Sequence, residues 1–201
     1  MFRYGFELEG FYTTKELGTT LPPLGWPTDG FPGLIEVRTV GANTLEDAYL
    51  KLLIEYFKYN FDTQIYEHTF SPEEKVLLRK RRYEKDILDL GNIYGKKPRA
   101  LGNRTLASFQ INISNQIRPS RYDEKGVFHT AEYGLFDYLP IIRRLDWDFR
   151  YEIKEAKRQP GFYAIKDGVR VEYRSLPNTV FTKGNDILKF IERIRKCVEG
   201  N

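Results

Sequence analysis

Along FRYGFELEGF, positions 2–11, apolar and polar side chains alternate with period two. Phe2, Tyr4, Phe6 and Leu8 share one face of the predicted strand; Arg3, Glu7 and Glu9 share the other. Three later stretches repeat the pattern. In 34–40, Ile35, Val37 and Thr39 oppose Glu36 and Arg38. In 106–114, Phe109, Ile111 and Ile113 oppose Ser108, Gln110, Asn112 and Ser114. In 169–174, Val169, Val171 and Tyr173 oppose Arg170, Glu172 and Arg174. This last stretch pairs with 162–166 across Asp167-Gly168, the residue pair favoured in a two-residue type I′ hairpin loop.

Between the strands the period lengthens to that of a helix. After a Thr44 cap, Leu45, Ala48, Tyr49, Leu52, Leu53, Tyr56 and Phe57 recur at i, i+3, i+4 and i+7. Ser71-Pro72-Glu73-Glu74 starts a second helix, which Gly91 stops. A third is predicted over 129–145, kinked or split at Pro140. A fourth covers 186–198, with Ile187, Ile191, Ile194 and Val198 on one stripe. A short strand is expected over 62–70. The stretch 12–32 reads as a loop or loose hairpin arm, 91–104 and 115–130 as polar loops, and 146–158 carries charge without a clear period. The order predicts one α+β domain over 1–201. Its sheet is mostly antiparallel, with helices packed on one face and the polar side chains on the open face.

That open face carries the functional question. Glu7 and Glu9 lie roughly 6–7 Å apart along one strand, and like charges that close repel unless something neutralises them. A solvated face with cross-strand ion pairs is one reading. A cleft holding a cation and an anionic ligand is the other. Four acids (Glu7, Glu9, Glu36, Glu172), three arginines (Arg38, Arg170, Arg174) and two amides (Gln110, Asn112) keep strict i, i+2 spacing. That regularity favours the cleft: carboxylates bind Mg²⁺ and let it bridge phosphate oxygens, while arginines offset phosphoryl charge.

Composition narrows the chemistry. One cysteine, Cys197, excludes an internal disulfide and a cysteine-based zinc site. Two histidines, His68 and His129, leave little for a histidine-rich metal centre. A metal here would be held mostly by oxygens, which favours Mg²⁺ or Mn²⁺ over Zn²⁺. The net charge of +4 and pI near 9.0 fit an anionic partner, a nucleotide or nucleic acid. No apolar run approaches the ~20 residues of a membrane span, and no signal-peptide pattern opens the chain. The expected setting is cytoplasmic, without a membrane partner.

Four motifs, in order, resemble the amidoligase or carboxylate–amine ligase families, which share the glutamine-synthetase-like fold. They are Gly5-Phe6-Glu7-Leu8-Glu9, a turn at Asp29-Gly30 leading to Glu36-Val37-Arg38-Thr39, Gln110-Ile111-Asn112, and Arg170-Val171-Glu172-Tyr173-Arg174 followed by Ser175-Leu176-Pro177. The chain is similar to the compact phage and bacterial members. The resemblance implies an ATP- and Mg²⁺-dependent enzyme that forms an amide through an acyl phosphate, joining a small-molecule or peptide carboxylate to an amine. It makes Glu7, Glu9, Glu172 and Gln110 candidate metal ligands, with Glu36 beside them. Arg170, Arg174 and Glu36 then serve the reacting centre, and Arg38 and Asn112 contact the nucleotide, metal or substrate. From their charge and flanking glycines, and not from the motifs, Lys97 and Arg104, with Lys96 and Arg99, are expected to close over the nucleotide. Gln110 departs from the pattern, since relatives often carry His there, and an amide oxygen is a weaker ligand. Two alternatives stand beside this reading. One is a nucleotide- or peptide-binding module of the same fold without turnover. The other is a nucleic-acid-binding protein using Arg79-Lys80-Arg81-Arg82 and the 96–104 loop.

Overall fold

The alternation at the N-terminus forms one long strand, β1 (Phe2–Phe11). A computed structural model describes residues 1–11, 13–14, 18–19, 34–39, 41–59, 90–96, 108–182 and 186–200. Within them follow β2 (Thr13–Thr14), β3 (Gly18–Thr19), β4 (Leu34–Arg38), α1 (Leu45–Tyr59), β5 (Leu90–Asn92), β6 (Ser108–Arg118), β7 (Arg121–Tyr122), β8 (Phe128–His129) and β9 (Glu132–Gly134). Then come α2 (Leu139–Asp148), α3 (Arg150–Glu155), β10 (Phe162–Lys166), β11 (Arg170–Pro177), α4 (Thr179–Thr182) and α5 (Ile187–Glu199). The fold is α+β with an antiparallel sheet in the order β4-β1-β6-β11-β10-β5, to which β9 adds beside β6. No described helix is long and apolar enough to cross a membrane.

The register explains why the apolar halves of the strands collect on one side. Phe6 lies opposite Ile111, Leu8 opposite Phe109 and Val37, and Tyr173 opposite Ile111. Directly opposed residues share a sheet face, so these side chains form one surface. Helices α1, α2, α3 and α5 contribute Leu45, Tyr49, Leu52, Ile142, Leu145, Ile153, Phe190 and Ile194 to the same core. Phe6, Phe109, Phe181 and Phe190 meet at ring separations of 5.2–6.2 Å, where edge and offset contacts add to area burial.

Local signals end the helices, at Thr44 as expected from sequence and at Asp186 and Gly200 in addition. Thr44 Oγ1 accepts from the Asp47 N–H at 3.1 Å to cap α1. Asp186 caps α5 by accepting from the Lys189 N–H at 3.1 Å, and Gly200 closes it with φ 79°. Cys197 is buried in α5, and burial pushes its thiol up to about 12. The hairpin turn has positive φ at Asp167 and Gly168, 54° and 71°.

Several boundaries differ from the sequence expectation. The hairpin loop is one residue longer, since Lys166 pairs with Arg170 and Val169 is left between them. The predicted helix 129–145 instead holds the end of β8, β9 and a helix that starts at Leu139, and the predicted loop 115–130 carries the β7–β8 ribbon. Pro140 therefore sits in a first turn, where its missing N–H costs nothing, rather than kinking a longer helix. The charged segment after 145 forms the end of α2 and the short α3. β6 runs on to Arg118, and 90–92 is an edge strand rather than a helix end and loop. On α5, Phe190 and Cys197 join the buried stripe, while Ile187 is 40% exposed. The loose arm 12–32 contains the β2–β3 ribbon. The strand at 62–70 and the helix at 71–89 lie outside the described residues, as do Trp26, Asp29-Gly30 and Arg79 to Arg82.

On the helix side one acid is built into the core. Asp146, at the end of α2, accepts from the Tyr173 O–H at 2.6 Å and the Gly161 N–H at 3.0 Å. Burial raises its carboxyl above the usual range, and these donors oppose that shift. The bonds tie α2 to β11 and to the residue preceding β10.

Candidate functional site

The opposite face of the same strands carries the polar residues, and the register brings all four sets together. Glu9 faces Glu36, and Glu7 faces Arg38 on one side and Gln110 on the other. Asn112 lies between Gly5 and Glu172, and Ser114 between Arg3 and Arg170. Neighbouring strands are about 4.8 Å apart, so these groups form a continuous patch. Acids and amides occupy its centre, and two arginines flank Ser114 at one end.

This face is as buried as the core. Glu7, Glu9, Glu36, Gln110, Asn112 and Glu172 are all between 2 and 7% exposed. Glu9 is well held: Ser108 donates to its Oε2 through both Oγ, at 2.5 Å, and N–H, at 3.2 Å, and Gln110 Nε2 donates to its Oε1 at 2.7 Å. Asn112 Nδ2 donates to Glu7 Oε1 at 3.1 Å. Arg38 pairs with Glu36, and Arg174 donates from Nε to Glu172 Oε1. Glu7 remains under-compensated. Burial, then the nearby Glu172 and Glu9, raise its carboxyl above the usual range against the pull of Arg38 and Arg174.

Two local irregularities shape the patch. Gly5 is required because a Cβ there would come within 2.7 Å of the Thr39 carbonyl oxygen. In β11, the register shifts between Tyr173 and Leu176. Two residues, Arg174 and Ser175, there oppose Gln110 alone, a bulge of the kind that re-aims side chains beside sites. Arg158 holds the bulge by donating to the carbonyls of Ser175 at 3.0 Å and Arg174 at 2.8 Å.

Among the described residues, the buried atoms Gln110 Oε1, Asn112 Oδ1, Arg3 Nε and Arg170 Nε on this face find no hydrogen-bond partner. The amide orientations follow from the neighbours, since flipping either would turn an oxygen onto a carboxylate. The patch therefore presents spare acceptors among the acids and spare donors at the arginine end. An unsatisfied buried group costs about 1–3 kcal/mol, so each calls for a water, an ion or a ligand atom.

The donors on this face are those of a hard divalent cation. All candidate ligands are oxygens, as Mg²⁺ requires, and the two spare amide oxygens adjoin Glu7, Glu9 and Glu172. Among the described residues, however, no three His, Cys, Asp or Glu side chains come close enough to hold one ion. An ion here would rest on one or two carboxylates with amide oxygens, phosphate and water, a set that fits Mg²⁺ better than a cage of acids.

Of the residues expected from sequence, Glu7, Glu9, Glu36, Arg38, Gln110, Asn112, Arg170, Glu172 and Arg174 share this face. Arg38 stands at its rim, with a side chain 61% exposed. Lys97, Arg99 and Arg104 lie outside the described residues. Lys96 is placed differently from expectation. Its ammonium sits 5.7 Å from the Tyr94 ring centre, near Asp146 on the helix side, not over the acids. Arg3, Ser108 and Ser114 were legible from the alternation but not singled out as site residues. Arg158 had no sequence signal, because its role depends on a bulge. Comparison with family models, curated proteins and solved structures gives no match.

Proposed function

We propose that the chain is an ATP- and Mg²⁺-dependent carboxylate–amine ligase of the glutamine-synthetase-like fold. One observation carries this reading: spare buried acceptors and spare buried donors stand side by side on one sheet face. A cation bound to phosphate supplies what both lack. One or two of the carboxylates Glu7, Glu9 and Glu172, with the oxygens of Gln110 and Asn112, would hold the cation. Bound there, Mg²⁺ screens phosphate charge. Arg3 and Arg170 would take phosphate oxygens through the donors left free, and Arg174 would stabilise charge on the acyl phosphate while positioning Glu172. Burial of the patch excludes water that would hydrolyse such an intermediate. Glu36, paired with Arg38 at the rim, lies where an amine substrate would enter. Cytoplasmic location and small-molecule or peptide substrates belong to this same reading.

Calorimetric titration of ATP should show heat only with Mg²⁺, and that heat should disappear in Glu7→Ala with the fold retained by circular dichroism. With a panel of carboxylates, hydroxylamine should trap a hydroxamate as ADP is released. Mg²⁺-independent or absent ATP binding sinks the reading. One observation favours a second reading, a binding module without turnover: Gln110 spends its amide N–H on Glu9, where relatives often carry His. ATP binding without hydroxamate across the panel selects that module.

A further inference from the structure

A second feature lies on the helix side of the sheet. A groove of about 540 Å³ runs between α2, α3 and the turn at Pro160. Its lining includes Arg143, Arg150, Lys154, Lys157 and Arg158, against one acid, the buried Asp146. Arg143, Lys154 and Lys157 have no ion-pair partner among the described residues. The arrangement is not a balanced surface: the neighbouring acids Asp148 and Glu152 are both occupied by Arg193, at 2.6 and 2.7 Å.

Exposed aromatic rings stand among these cations. Trp147, on the lining, is 70% exposed and Tyr151 is 69% exposed. The Arg150 guanidinium lies 4.4 Å from the centre of each ring and donates to the Trp147 carbonyl at 2.7 Å. A guanidinium stacked on rings is held in place while its remaining N–H groups stay available to phosphate. Lys157 is also fixed. It takes the left-handed position (φ 54°) that ends α3, where glycine is usual, and the Arg158 N–H closes the turn onto the Ile153 carbonyl at 2.9 Å. Backbone conformation thus fixes where this cation leaves the chain.

We infer that this groove binds single-stranded nucleic acid, with a base stacked on Trp147 and successive phosphates held by Arg143, Arg150, Lys154 and Lys157. An open basic channel with an exposed aromatic platform suits a strand, because every base offers a face to stack while the backbone follows the charges. A duplex hides those faces. The net charge of +4 supports the encounter. The groove is on the other side of the sheet from the acidic patch and uses none of its acids, so it stands whether or not the chain is a ligase.

The test is fluorescence anisotropy of the full chain with a labelled single-stranded oligonucleotide of roughly 16 nucleotides. Saturable binding that falls steeply with salt is expected. Trp147→Ala should weaken it roughly 5- to 100-fold, with Trp147→Phe largely restoring it. The double variant Lys154→Glu/Lys157→Glu should weaken it and flatten the logarithmic salt slope by about two. Lys51→Glu/Lys58→Glu on α1, an equal charge change away from the groove, should leave it close to wild type. In a Trp26→Phe background, binding should quench the emission of Trp147. The inference is overturned by no binding at about 50 mM salt. It is equally overturned by a matched duplex binding as tightly, by a mononucleotide competing as well as the strand, or by the α1 variant losing as much as the groove variant.

Discussion

The two faces of β1, β6 and β11 are buried alike and differ in almost every other respect. On the helix side, Phe6, Leu8, Phe109, Ile111 and Tyr173 are within 1% of complete burial. They are apolar or, for Tyr173, hydrogen-bonded, so their burial stabilises the fold. On the other side Glu7, Glu9, Glu36 and Glu172 are 2–7% exposed, with orphaned amide oxygens and guanidinium nitrogens between them. Desolvating those groups opposes folding. Equal burial with opposite energetic sign shows that the polar face is not explained by stability. It is strained by charge, and the apolar face offsets that cost.

The contrast can be broken most severely from the apolar side. Phe6→Ala removes a fully buried ring at the centre of the aromatic cluster and should cost about 3–5 kcal/mol in denaturant unfolding. A loss below about 1 kcal/mol would mean that the core does not sit on this face. Tyr173→Phe keeps the ring and deletes the donor to Asp146. It should cost about 1–3 kcal/mol, because the carboxylate stays buried with one partner fewer. An unchanged midpoint would show that the bond contributes nothing.

The smallest effect has the opposite sign and is the most diagnostic. Glu7→Gln removes the least compensated charge on the polar face while preserving an acceptor for Asn112. In chelator, it should stabilise the chain by about 1 kcal/mol near neutral pH, or 2–4 °C in Tm. Since the folded protein holds the Glu7 carboxyl above its ordinary value, the protonated form is favoured on folding. Wild-type stability from this group is therefore full below about pH 4 and is lost as pH rises through the raised folded value. The advantage of Glu7→Gln should accordingly vanish in acid and grow toward neutrality. Mg²⁺ should narrow it by stabilising wild type more than the variant. Equal Tm values in chelator, or an equal response to Mg²⁺, would remove the charge strain from the argument.

The strand halves of this fold were legible because period two is a local property. Glu7 and Glu9 share a face through pleating alone, as do Gln110 with Asn112 and Arg170 with Glu172. The Thr44 cap was legible for the same reason. The stretch 129–145 was not, because Leu135 and Leu139 imitate a helical stripe while the chain pairs at 132–134 with the extended end of β6. Pairing with a distant strand outweighs a short local pattern.

The sequence by itself determined which side chains could act together within each strand, and its single cysteine excludes an internal disulfide and a cysteine-based zinc site. Only the tertiary structure decided that the four polar faces meet, because strand order and register are set by contacts between residues far apart in sequence, such as Ser108 with Glu9, 99 positions away, and Gln110 with Glu7. It also decided that Arg3 joins Arg170 around Ser114, and that Lys96 turns away from the acids. The groove between α2 and α3 depends on the same level of organisation. Its cations Arg143, Arg150, Lys154 and Lys157 recur at i, i+7, i+11 and i+14, but only the folded structure sets them with the turn at Pro160 around one groove.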